Sequence, residues 1–138
     1  MNWVHWALLS AAFAGITAVL AKAGTKDIAP NLATAIRTTV VLLLAWGIVL
    51  VAGKPEWKSL SGRAMVYLIL SGVATGLSWL CYFRALHLGE ASSVAPVDKL
   101  SVVFAIALAA LFLGERLAWQ HWVGGSLIVV GAAVIATK

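Results

Sequence analysis

The run AMVYLILSGVATGLSWLCYF, from Ala64 to Phe83, holds twenty residues without a charge and is closed at its two ends by Arg63 and Arg84. A hydrocarbon core about 30 Å thick needs about 20 mostly apolar residues of α-helix to cross it. The run meets that length. Its apolar residues are continuous rather than alternating, which excludes the strand of a membrane barrel. Four further runs meet the same test. Residues 3–21 carry no charge, 31–51 contain Arg37, 92–113 carry Asp98 and Lys99 near their start, and 117–137 are again uncharged. The sequence therefore predicts an all-α integral membrane bundle of five transmembrane helices. They form a single domain over residues 1–138, because the longest linker, Ala52 to Arg63, is only a dozen residues.

Composition agrees. Of the 138 residues, 62% are apolar and 11% charged, against about 45–50% and about 25% in soluble domains. A globule this small has too little interior to hide so much apolar surface, so a soluble enzyme, a nucleic-acid-binding domain and a disordered chain are excluded. The net charge of +5 does not restore a nucleic-acid partner. Its ten Lys and Arg are spread between long uncharged runs and make no basic stripe. The lone cysteine, Cys81, excludes an intramolecular disulfide and a cysteine-based zinc site, and its apolar surroundings predict an inert core thiol. The chain shows no phosphate-binding glycine loop, no metal-ligand cluster, no cofactor motif and no nucleophile–base arrangement, so it is read as no enzyme.

Turn residues divide the runs at the same places. Gly24-Thr25-Lys26-Asp27 with Pro30-Asn31 marks the first connection, and Gly53-Lys54-Pro55-Glu56 with Ser61-Gly62 the second. Gly89-Glu90 precedes Ser92-Ser93, which can cap the fourth helix, and Gly114-Glu115-Arg116 joins the last two in a tight hairpin. Ala21-Lys22-Ala23 resembles a cleavage site, but the start lacks a positive region and the apolar stretch is too long for a signal peptide.

Five spans put the two termini on opposite sides. The side of the N-terminus holds Lys54, Lys58, Arg63 and Arg116; the other holds Lys22, Lys26, Arg84 and Lys138. Four against four, or four against six with Arg37 and Lys99 added, gives no excess to orient the chain by the positive-inside rule. Two readings follow: another feature fixes one orientation, or the chain inserts both ways up. Trp3, Trp6, Trp46, Trp57, Trp119 and Trp122 fall towards the N-terminal side and Trp79 towards the other, as interfacial anchors do; Trp6 or Trp79 could instead stack on a solute.

Ionisable residues inside a span cost about 2.5–3.5 kcal/mol each and generally face a cavity or a partner. Arg37, Asp98 and Lys99 each lie about six residues inside a helix from the same side, at a depth of roughly 10 Å. Asp98 can pair with Arg37 if their helices touch, whereas Lys99 points about 100° away from Asp98 around the helix. One reading makes the trio a polar vestibule that binds an anionic or zwitterionic solute or relays a proton. The other makes it an internal salt bridge, with Asp98 in the first turn of a helix starting at Pro96 and Arg37 and Lys99 snorkelling to the headgroups. Arg84, His87 and Glu90 close the same side as gates or as solvated loop charges. Ser78, like Ser10, Ser71 and Thr75, can hydrogen-bond along a pathway or bond back to its own helix. Gly72 with Gly76, and Gly124 with Gly131, offer small faces for close helix packing.

The last two runs carry a resemblance. Leu111-Phe112-Leu113-Gly114-Glu115-Arg116-Leu117, followed by Trp122-Val123-Gly124-Gly125-Ser126-Leu127-Ile128-Val129-Val130-Gly131, resembles the closing hairpin of an EamA domain of the drug/metabolite transporter superfamily. Leu70-Ser71-Gly72, Trp79 to Leu86 and Ala91 to Pro96 agree in order and spacing. Most members join two such domains in an inverted repeat of ten helices, so the resemblance implies that this chain is one half of that fold. It further implies an inner-membrane small-molecule transporter working by alternating access as a pair of chains, antiparallel if it mimics the tandem form; the Lys and Arg count then suggests a homodimer of dual topology, and the small face of Gly124 and Gly131 its contact. The related small multidrug resistance proteins use a carboxylate in the first helix, and residues 3–21 hold no Asp or Glu. A non-transporting membrane subunit packed against a larger partner is the competing reading.

Overall fold

The computed structural model describes residues 2–53 and 60–137. Lys54, Trp57, Lys58 and Lys138, which entered the charge and tryptophan distribution, lie outside the described residues. Among the described residues six helices follow in chain order: α1 Trp3–Gly24, α2 Pro30–Ala52, α3 Gly62–Leu88, α4 Ala91–Asp98, α5 Ser101–Phe112 and α6 Trp119–Ala136. Five segments are long and apolar enough to cross a membrane, with α4 and α5 together making the fourth, Ala91–Phe112. The protein is an all-α, multi-pass membrane protein. Its large apolar side chains are mostly exposed, Val51 to 89% and Leu113 to 75%, as they are when a bilayer rather than a protein core covers them.

The helix ends follow from local chemistry. Pro30 opens α2, where its missing amide hydrogen costs nothing. Ser61 caps α3 by accepting the Ala64 amide at 3.2 Å. The helix α3 runs on past Phe83 to Leu88, so Arg84 and His87 belong to its last turns and not to a loop. Gly114 has a φ of 67°, a left-handed conformation that ends α5 and lets the Glu115 amide turn back to the Ala109 carbonyl at 3.3 Å. The hairpin then continues through residue 118 before α6 begins.

Three sequence-based expectations need correction. Pro96 does not start the fourth span but sits inside α4, which begins at Ala91 after Glu90. Asp98 is therefore the last residue of α4, at the negative end of its dipole and not the positive end. The serines Ser92 and Ser93 lie within the first turn, and Ser92 Oγ donates to the Glu90 carboxylate at 3.5 Å instead of capping the helix. Cys81 is exposed, because only Phe83 and Leu86 of α3 are buried.

Two compact units make up the chain, one from residues 1–22 with 89–138, the other from residues 23–88. In the second, α2 and α3 pack as an antiparallel pair. In the first, α4 and α5 both pack on α6, and Gly125 and Ala132, seven residues apart, are the buried face of α6. Lys22 Nζ, near the end of α1, donates to the Gly89 carbonyl at 2.8 Å and ties α1 to the start of α4.

Candidate functional site

Within the α2–α3 pair the chain places a charge against aromatic rings. Arg37 is the eighth residue of α2, about 10 Å along the axis from Pro30. Trp79 and Phe83 stand four residues apart on α3, hence on one face. The Arg37 guanidinium carbon lies 4.4 Å from the centroid of the Trp79 ring and 5.6 Å from that of Phe83. Ring quadrupoles attract a cation at this separation, by about 0.5–2 kcal/mol each according to how dry the site is. Tyr82 meets Phe83 edge to face with centroids 6.3 Å apart, which holds the Phe83 ring in place.

No acid answers this charge within the pair of helices. Neither α2 nor α3 contains an Asp or Glu, and Arg37 forms no hydrogen bond or ion pair with a described residue of its own unit. The nearby hydroxyls satisfy themselves locally. Thr34 donates to the Pro30 carbonyl at 2.9 Å and Thr38 to the Thr34 carbonyl at 2.8 Å. Thr75 donates back to Ser71 at 2.9 Å, the self-bonding alternative for that residue. Ser78 is exposed next to Trp79 on α3. At the end of α3, His87 Nδ1 donates to the carbonyl of the buried Thr25 at 3.4 Å, so it straps α3 to the segment before α2.

Asp98 and Lys99 belong to the other unit, at the break between α4 and α5. Lys99 Nζ reaches Asp98 Oδ2 at 3.5 Å, both side chains being exposed to 36% or more. Helical geometry alone would have pointed them apart; the lysine stem is long enough to fold back where the helix is interrupted. The break itself is a turn of i→i+3 bonds, Lys99 to the Pro96 carbonyl at 3.1 Å and Leu100 to Val97 at 3.0 Å. Pro96 has no amide to give Ser92, which weakens the helix one turn earlier. Glu90 stands at the N-cap position of α4 without a side-chain cap bond, and Arg84 is exposed near the end of α3. The small face of α6 is open: a side chain built at Gly124 or Gly131 meets no atom within 4 Å.

Two features went unread in the sequence. Phe83 was legible in principle, as the residue one helical turn beyond Trp79 at the depth of Arg37. The second is a cavity of about 320 Å³ between α5 and α6, lined by Val103, Ile106, Trp122, Val129 and the polar His121 and Ser126. His121 Nδ1 accepts the Ala118 amide at 3.1 Å and so caps α6. Among the described residues no group of three His, Cys, Asp or Glu side chains is placed to hold a metal ion.

Comparison with known proteins gives this geometry its setting. A model of the EamA-like transporter family matches residues 1–137. The chain is 50% identical over 138 residues to an "Uncharacterized transporter in cobO 3'region" of a Sinorhizobium species, an alignment covering 98% of this chain and 96% of that one. It is 31% identical over 74 residues to an uncharacterized protein of Methanocaldococcus jannaschii, covering 54% of each. It is 40% identical over 67 residues to the "Probable terminal-alkyne amino-acid exporter" of Streptantibioticus cattleyicolor, covering 46% of this chain and 22% of that protein. No solved structure matches.

Proposed function

The chain belongs to the EamA-like transporter family, and from that premise we propose that it carries a small organic solute across the inner membrane by alternating access, with two five-helix units as the working assembly. The observation that carries the reading is Arg37: a charge inside a span, seated on Trp79 and Phe83, with no acid on either helix of its own unit. A scaffold gains nothing from holding a cation there, whereas a pathway needs a polar group that a solute can reach. Trp79 and Ser78 line the same stretch of α3. Asp98 and Lys99 place a second pair of charges at an interruption of the fourth span, where transporters commonly put irregular backbone. Arg84 and Glu90 act as gates at the ends of their helices.

The relative from Sinorhizobium, named a transporter, is matched over almost its whole length, which supports the transporter reading. The exporter from Streptantibioticus is much longer than the matched segment, and the solute in its name supports a small organic cargo. The assembly proposed above needs two such units. An antiparallel homodimer joined through the open face at Gly124 and Gly131 meets that need, and the even distribution of Lys and Arg leaves both orientations accessible.

The test is reconstitution. Liposomes loaded with a mixed metabolite extract, with and without the protein, are compared by mass spectrometry of the released solutes. Release of a defined subset beyond that from empty liposomes supports the transporter. Identical release favours the non-transporting subunit.

A further inference from the structure

We infer that the Arg37–Trp79–Phe83 stack is a binding site for a single carboxylate group on an otherwise compact, weakly polar molecule. Calling that molecule the transported solute rests on the transporter reading above. The Arg37 guanidinium carbon is 4.4 Å from the Trp79 centroid and 5.6 Å from that of Phe83, so aromatic surface covers the cation. A covered guanidinium still has N–H groups at its edge, and these donate in a planar fork that matches the two oxygens of a carboxylate. None of those donors meets an acceptor from a described residue of the same unit.

Charge then selects the ligand. The side chains of α2 and α3 supply no anion. An unanswered guanidinium at this depth is costly, and a monoanion neutralises it one for one. A phosphate dianion would call for a second cation. The next one on α3, Arg84, stands five residues after Trp79 and so about 140° away around the helix. It does not share the fork. The half-buried ring of Trp79, backed by the buried Phe83, leaves apolar surface beside the charge, suited to a hydrocarbon portion and poorly suited to a hydrated polyanion. Lipid phosphate could meet the same fork from the headgroup region, so the test separates that source.

The purified full chain is examined for thermal stabilisation in phospholipid-free detergent, with sodium butyrate, sodium 4-methylpentanoate, sodium phosphate and sodium chloride at matched ionic strength. The inference predicts a saturable rise of the unfolding midpoint with butyrate and 4-methylpentanoate and none with chloride. Val51→Ala, at the exposed far end of α2, keeps the response, and Arg37→Gln loses it. Should Arg37→Gln not fold, Arg37→Lys serves: it keeps the charge without the fork, and its response needs at least tenfold more butyrate. Equal responses to butyrate and chloride, or a response retained in Arg37→Gln, overturn the inference. A stronger response to phosphate than to butyrate also overturns it. In nanodiscs, phosphatidylglycerol abolishing the butyrate response that phosphatidylcholine preserves assigns the fork to lipid headgroups and overturns it as well. Carboxylate binding without flux of any solute removes the transporter reading and leaves the site; flux of solutes without carboxylate binding does the reverse.

Discussion

Arg37 on α2 and Trp79 on α3 stack with 4.4 Å between guanidinium carbon and ring centroid, about two helical turns inside the membrane-spanning pair. The stack serves two ends. It partly offsets the cost of a cation inside a span, and it holds the cation against the ring.

Trp79 therefore matters to folding as well as to the site. Trp79→Ala removes the ring and is expected to destabilise the α2–α3 pair by about 1–2 kcal/mol, whereas Trp79→Phe keeps a π face and loses less. Unfolding midpoints of both variants in the same detergent check the order. Equal losses would separate the effect from the cation.

Gly114 makes a second, independent prediction. Its φ of 67° is open to glycine and costly for a residue with a Cβ. Gly114→Ala should destabilise the protein by about 1 kcal/mol, with Gly114→Asn closer to wild type. No atom stands within 4 Å of an added Cβ there, so a loss reports backbone strain rather than a clash.

Ser61 caps α3 through the Ala64 amide. Ser61→Ala should cost about 1 kcal/mol and Ser61→Asp much less, because an aspartate can accept the same hydrogen bond. Hydrogen exchange at the first turn of α3 gives the local readout, with faster exchange in Ser61→Ala alone.

Gly131 tests assembly. It is exposed and open, while its neighbour Ala132 is buried within its own unit. Gly131→Leu should leave the unfolding midpoint of the single chain unchanged and lower the dimer fraction in detergent severalfold, as bulk on a close-packed lipid-buried face does. An unchanged dimer fraction would move the interface elsewhere.

Much of this architecture could be read from residues alone, for physical reasons that are specific. The uncharged run from Ala64 to Phe83 has few alternatives, because a span must satisfy its backbone internally and present apolar side chains to lipid. The extension of α3 to Leu88 was hidden, since Arg84 and His87 look like loop residues when only hydropathy is weighed. Pro96 misled for a related reason. Proline favours a helix start, yet the two serines and alanine before it already form a turn of helix, and proline at the sixth position of α4 is accommodated by the break that follows. At the site, sequence depth singled out Arg37 and Trp79 separately but could not join them. Helix register across two elements depends on packing, and in the sequence Asp98 offered the more familiar partner for an arginine. Lys99 likewise looked misdirected until the interruption after Asp98 brought its ammonium to the carboxylate.

The most direct test of the account is the flux of one solute through the protein with and without the Arg37 charge. Liposomes containing equal amounts of folded wild-type or Arg37→Gln protein are given increasing concentrations of a solute identified by the release experiment, and initial rates are measured. The account predicts a saturating rate for wild type, well above that of empty liposomes, and at least a tenfold lower rate for Arg37→Gln. A wild-type rate equal to that of empty liposomes, or an undiminished rate in Arg37→Gln, would contradict it.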